Sequence, residues 1–265
     1  MTLAPPAIAG PVTYSSVYQI YLRGILLARA NVELAVSAQQ YQLSALLRSS
    51  GIGFLFSDAS ALIRTSGKIL GENIEPEALQ YSWTDDDSVN FARLDYADGA
   101  PAAYETNYKP ETPQNIVVPV ALEDVGLGTR DPFLSLLVLQ SPEKGDAFCR
   151  TPMRLFDGRR LAQLSPEAMA GAPRDATTGG IACRVRWTPI AGYPKKTYER
   201  AEEMRPVDLE FVGIANGRFM APREVNVVTR FGTVRIVAVQ PFRESNLPIV
   251  PAKLSPPPPD DEEWQ

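Results

Sequence analysis

Apolar side chains recur at every second position in two adjoining stretches near the start of the chain. Val32, Leu34 and Val36 share one face of the first, and Tyr41, Leu43, Ala45 and Leu47 share one face of the second. A period of two is that of half-buried antiparallel strands, so the chain reads as mainly β, with a sheet curled over a core. Strands are expected at residues 17–26 and 30–38, with Gln39 and Gln40 turning the chain into the next. Residues 51–63 have no clean period and read as a short helix leading into a strand that carries Leu62 and Ile69. Alternation resumes over residues 79–83, 89–96 and 102–108. Asp98 with Gly99 signals a two-residue hairpin between the last two, because both central positions of that turn need positive φ.

The middle of the chain changes period. Asp131 before Pro132, then Phe133, Leu136, Leu137 and Gln140, is the pattern of a capped helix with proline at its first position. One helix is expected there, plugging or covering an end of the curved sheet through ordinary core packing. Strand patterns return at 153–164, turning at Asp157 and Gly158, and in the alternating set Ile181, Cys183, Val185 and Trp187. Breakers at Pro166, Pro173, Gly179 and Gly180 read as a surface loop over 165–180. Residues 209–214, a turn at Asn216 and Gly217, then 225–228 and 233–239 complete the β pattern. The organisation is a flexible leader or signal-peptide remnant over 1–13, a single β domain over 14–245, and a disordered proline-rich acidic tail over 246–265.

Composition narrows the chemistry. With 45% hydrophobic and 22% charged residues in a chain of 265, a core can form without a metal. The net charge of -5 and the absence of a basic run argue against a nucleic-acid partner, which would lack the usual counterion-release contribution. No apolar run approaches the ~20 residues of a membrane helix, so no transmembrane segment is expected. Histidine is absent, which removes Ser-His-Asp and Cys-His nucleophiles and histidine-ligated zinc. Ser141 and Lys144 match S-x-x-K without its companion motifs, and Asp85, Asp86 and Asp87 lack the frame of a calcium loop. Ser66-Gly-Lys68 and Gly126-Leu-Gly128 lack the glycine spacing of nucleotide loops. No catalytic, metal or cofactor residues are assigned, and the chain reads as a non-enzyme.

Two sets of residues remain as candidates. Cys149 and Cys183 form one bridge if the chain is exported, or two buried thiols if it is cytosolic. The start, where Ala7-Ile-Ala9 resembles the small-residue end of an export signal but no charged segment precedes it, leaves both readings open. Arg154, Arg184, Arg186 and Arg235, with Arg230 nearby, fall on or beside strands. Gathered on one face they would suit an anionic group such as a lipid phosphate; otherwise they pair with acids across strands or face solvent.

The order of several short motifs resembles the proteobacterial family called domain of unknown function 3108. These are Tyr18-Gln-Ile-Tyr-Leu-Arg-Gly24 with Ala28-Arg-Ala30, Val32 and Leu34; Ser66-Gly67; Asp131-Pro-Phe-Leu-Ser-Leu136; Phe156-Asp-Gly-Arg-Arg160; and Cys183-Arg-Val-Arg-Trp-Thr-Pro-Ile-Ala-Gly-Tyr193. They span roughly residues 14–240. The resemblance implies a periplasmic envelope protein: a curved antiparallel sheet forming a partly open β-barrel with one or two short covering helices, similar in outline to lipoprotein carriers. It supplies no catalytic residues and no cofactor. The expected role is binding of a lipid or other hydrophobic ligand in the curved sheet. The alternative is a structural protein that holds envelope protein partners through sheet edges or the acidic tail.

Overall fold

The computed structural model describes residues 11–51, 59–71, 73–85, 88–107, 116–133, 135, 138–139, 147–169, 180–215 and 218–245. The first half is a meander of β1 (Val12–Leu22), β2 (Ile25–Val36), β3 (Gln40–Ser49), β4 (Ser60–Leu70), β5 (Asn73–Asp85), β6 (Ser88–Ala97) and β7 (Ala100–Thr106). After a short helix α1 (Leu122–Val125) and the two-residue β8 (Val138–Leu139), a second meander follows. It runs through β9 (Met153–Phe156), β10 (Leu161–Ala168), β11 (Ile181–Ala191), α2 (Lys195–Glu199), β12 (Val207–Ile214), β13 (Phe219–Thr229) and β14 (Gly232–Ser245). Thirteen strands follow one antiparallel path, β7-β6-β5-β4-β3-β2-β1-β14-β13-β12-β11-β10-β9, and β8 pairs with β13 beside it. The two meanders therefore meet where β1 pairs with β14.

Prolines explain much of the curl. A strand proline has no N–H to give the ladder, so it belongs at an edge or a bulge, and bulges bend and twist the strand that carries them. Register shifts occur beside Pro76, where Gly67 pairs with it, and beside Pro101, Pro189 and Pro222. Pro241 falls between Gln240 and Arg243, where β14 slips against β1. Pro166 lies on the part of β10 that extends past its ladder with β9.

Curling brings the ends of the path together, and among the described residues no ladder joins them. On β7, the Tyr104 ring lies against Gly158, where an added Cβ would stand 2.1 Å from the ring and φ is +95°. The Tyr81 hydroxyl donates to the Asp157 carbonyl at 3.2 Å. The segment 116–133 spans the gap. Its α1 packs on β7, Gly128 N–H donates to the Gly99 carbonyl at 3.1 Å, and Arg130 makes a parallel bridge to Leu155 of β9. The architecture is thus a partly open, mainly β barrel, as expected, and among the described residues the helices are few and short.

Three expectations change. The strand expected over 17–26 is broken at Arg23 and Gly24, whose φ values of 51° and 82° make them a tight hairpin turn. The helix expected from Asp131 does not run through to Gln140, since Val138 and Leu139 form β8; Ser135 is in a 3-10 turn, and 134, 136, 137 and 140 lie outside the described residues. The Asp131 carboxylate accepts the Phe133 N–H at 2.8 Å, and the chain then enters β8, recruited by β13. Residues 165–168, expected in a loop, belong to β10. The Asp98-Gly99 turn has the positive φ at both positions that its residues signalled. The Asn216-Gly217 turn, the proposed helix after Gly51, the segments 1–10 and 246–265, and most of 170–180 lie outside the described residues. β1 opens at Val12, inside the stretch read as leader.

Cys149 and Cys183 are bonded, tying the 3-10 turn Ala147–Arg150 to β11. Both are fully buried among Val185, Leu209, Phe211, Met220 and Val225. Their separation of 34 residues makes the bridge worth roughly 3–4 kcal/mol by loop entropy, so replacing both cysteines by alanine should lower the urea unfolding free energy by that order. Gly67 offers a second check. A Cβ there would lie 2.0 Å from the Glu75 carbonyl and 2.8 Å from the Tyr41 ring. Because a backbone oxygen at a bulge cannot retreat freely, Gly67→Ala should cost about 2–3 kcal/mol in the same measurement.

Candidate functional site: an apolar cavity across the junction of the two meanders

The alternation that predicts strands also builds a cavity. Tyr18 and Ile20 of β1, Ala30, Val32 and Leu34 of β2, and Leu43, Ala45 and Leu47 of β3 point inward from one wall. Ala221, Pro222 and Val225 of β13, with Ile236 and Phe242 of β14, continue that wall past the β1–β14 junction. Phe133 lines the cavity from the segment that spans the barrel gap. The space is about 160 Å³ and partly open to solvent.

Its lining is almost wholly apolar and uncharged. The Tyr18 hydroxyl donates to the Pro222 carbonyl, and burial pushes its phenol well above the ordinary value, so it stays neutral. Both partners sit where β-bulges disturb the ladders: β1 slips against β14 beside Tyr18, and β13 slips against β12 beside Pro222.

Phe133 is held by a buried polar cluster. Asp131 is 0% exposed, and its carboxylate accepts from Thr65 Oγ1 and from the Phe133 N–H, each at 2.8 Å. Its carbonyl accepts from the Ser135 N–H at 3.1 Å, closing the turn. On the other side, the Arg130 N–H donates to the Arg154 carbonyl and the Phe156 N–H donates to the Arg130 carbonyl, both at 2.9 Å. Burial lowers the Arg130 pKa, with Tyr41 and Asp131 acting in the opposite direction. The phenols of Tyr41 and Tyr96 are pushed far up, mainly by burial and next by the Asp131 charge, so both remain protonated.

The candidate arginines do not meet at this cavity. Arg184 on β11 grips Asp208 of β12 through Nε–Oδ1 at 2.7 Å and Nη2–Oδ2 at 3.1 Å. Arg235 on β14 grips Glu224 of β13 through two contacts of 2.8 Å. Cross-strand pairing with acids is the arrangement in both. Arg186 is exposed on β11, and Arg154 is half-buried on β9 with its guanidinium beside Gly126. Ser141 and Lys144, and Asp86 with Asp87, lie outside the described residues, whereas Ser66, Gly67 and Lys68 form part of β4. Among the described residues no group of three or more acidic, Cys or His side chains is placed to hold a metal, and no helix is long and apolar enough to cross a membrane.

The wall residues of β2 and β3 were legible from their period of two. Those of β1, β13 and β14 were not singled out. For β13 and β14 the usable signal was a proline inside the alternating run, Pro222 and Pro241, which marks a bulge and a change in direction; β1 carries no such signal.

No family model matches the chain, and no curated protein matches it. Among solved structures it is similar to one from Brucella abortus described as a beta-barrel-like protein of domain of unknown function DUF1849. The two share 12% identity over 89% of this chain and 99% of that one, with a TM-score of 0.42. At that distance the similarity carries no argument about ligand or activity, and the barrel description rests on the strand order above. The likeness to the domain of unknown function 3108 family rests on the motifs that suggested it.

The Glu224–Arg235 pair yields a pH prediction. Hydrogen bonding from Arg235, with Asn226 assisting, holds the Glu224 carboxyl at about 2 against an ordinary 4.5. Since the folded value is depressed, the pair's contribution is whole above pH 4.5 and is lost as pH falls toward 2. A carboxyl NMR titration should find Glu224 titrating near the lower value, and Arg235→Gln should return the midpoint toward the ordinary one.

Proposed function

We propose that this chain is a non-catalytic protein of the bacterial periplasm that holds the apolar end of a lipid or acyl chain in its barrel, for carriage or envelope maintenance. The observation that carries the reading is the cavity itself: a neutral, apolar space inside a curled sheet. A filled core would have left no such space.

Size constrains the binding mode. A dry apolar cavity of roughly 150 Å³ accommodates a benzene-sized guest, on the order of six carbons, whereas pockets for larger ligands run to about 300–1,000 Å³. The cavity therefore takes the end of a chain while the rest leaves through the open side, with the Phe133 ring among the side chains it would meet. The buried disulfide supports an oxidising compartment, since such bonds are rare in a reducing cytosol. Sheet edges offer less to a protein partner: β9 already carries the Arg130 bridge, and α1 packs on β7.

Protein purified from its own cell envelope should release a lipid on organic extraction, with native mass spectrometry giving its stoichiometry. Ala45→Leu fills the cavity and should abolish uptake of added hexadecanoate while leaving the melting temperature in place. Phe133→Ala enlarges the cavity and should favour hexadecanoate over octanoate more strongly than the unaltered chain does. An empty protein that also takes up neither acid would overturn the proposal.

A further inference from the structure

The end of the barrel where β1 turns into β2 and β13 into β14 combines two features that are unusual on an acidic protein. Its tips present large apolar side chains to solvent: Phe231 is 58% exposed and Ile25 50%. Single exposed apolar residues are ordinary, but these occupy neighbouring hairpins, tied by the Arg23 N–H to the Thr233 carbonyl at 3.0 Å. The second feature is charge. Arg23 lies over Gly232, and the Arg230 guanidinium sits 4.5 Å from the centre of the Phe231 ring. Arg29 and Arg48 stand directly opposite each other on β2 and β3, an arrangement of like charges that an anion would relieve. Neither tip has an acidic residue within 22–26 or 228–234, although the whole chain carries a net charge of -5.

The β13–β14 tip is also pre-shaped. Thr229 Oγ1 accepts the Phe231 N–H at 3.2 Å and donates to the Gly232 carbonyl at 2.7 Å. That holds the aromatic ring outward before any partner arrives. Apolar tips flanked by arginines complement a surface with anionic groups above a hydrocarbon layer.

We propose that the β1–β2 and β13–β14 tips dock on an anionic lipid bilayer, with Ile25 and Phe231 entering the interface while Arg23, Arg29, Arg48 and Arg230 meet lipid phosphates. The proposal stands on residues outside the cavity and does not depend on what the cavity holds.

Co-sedimentation of the full chain with phosphatidylcholine vesicles, with and without phosphatidylglycerol, tests it. Binding is expected to the anionic vesicles and to weaken as salt is raised. Phe231→Ser should reduce partitioning about tenfold, and Arg23→Glu with Arg230→Glu should reduce it by at least as much. Both sets of changes are at exposed tips, and unchanged melting temperatures will show that the barrel is intact. The cavity-filled Ala45→Leu variant should still sediment, which separates failure of docking from failure of ligand uptake. Absence of binding to anionic vesicles, or binding that survives all three tip substitutions, would overturn the proposal.

Discussion

A proline inside a β-strand cannot complete its ladder, and this chain places one in five strands at register shifts. Each shift leaves an unmatched residue that bends its strand, so a path of thirteen strands curls instead of extending as an open twisted sheet. Pro76 and Pro101 bend the first meander; Pro189, Pro222 and Pro241 bend the second. The close approach of Tyr104 to Gly158 depends on that curvature, because β7 and β9 stand at opposite ends of the path.

The β1–β14 pairing converts two local meanders into one barrel, and the cavity lies across it. Residues more than two hundred apart in sequence thus form one wall, as when Tyr18 donates to the Pro222 carbonyl. Closure of so long a loop is entropically costly, and the extended ladder of two long strands offsets it. The same bulges that bend the walls prevent the inner face from meshing completely. Phe133, seated by the buried Asp131, occupies part of the remaining space.

Charge is arranged in two ways. Over the second meander, Arg184 and Arg235 are bound to acids on the next strand, and their bidentate contacts fix register on the outer face. At the β1–β2 and β13–β14 tips, arginines accompany exposed apolar side chains without acids in the same turns. The residues lining the cavity, by contrast, are all uncharged. An apolar guest and an anionic surface would therefore meet different parts of the molecule, through different forces.

Strand positions were legible because a period of two is a local property of the backbone, and the Asp98-Gly99 hairpin because its φ requirement selects those residues. Arg23-Gly24 was missed because apolar residues alternate almost without interruption through the turn. The stretch after Asp131 was misread because its cap is local while its continuation into β8 depends on β13, some eighty residues away. Two cysteines left a bridge or free thiols according to whether the chain is exported, and arginines on adjacent strands left pairing or convergence open. Local pattern thus determined the elements, the mainly β class and the chemistry that lack of histidine excludes. Only the tertiary structure decided the Cys149–Cys183 bond, the acids that hold Arg184 and Arg235, and the cavity, because each depends on contacts between distant segments.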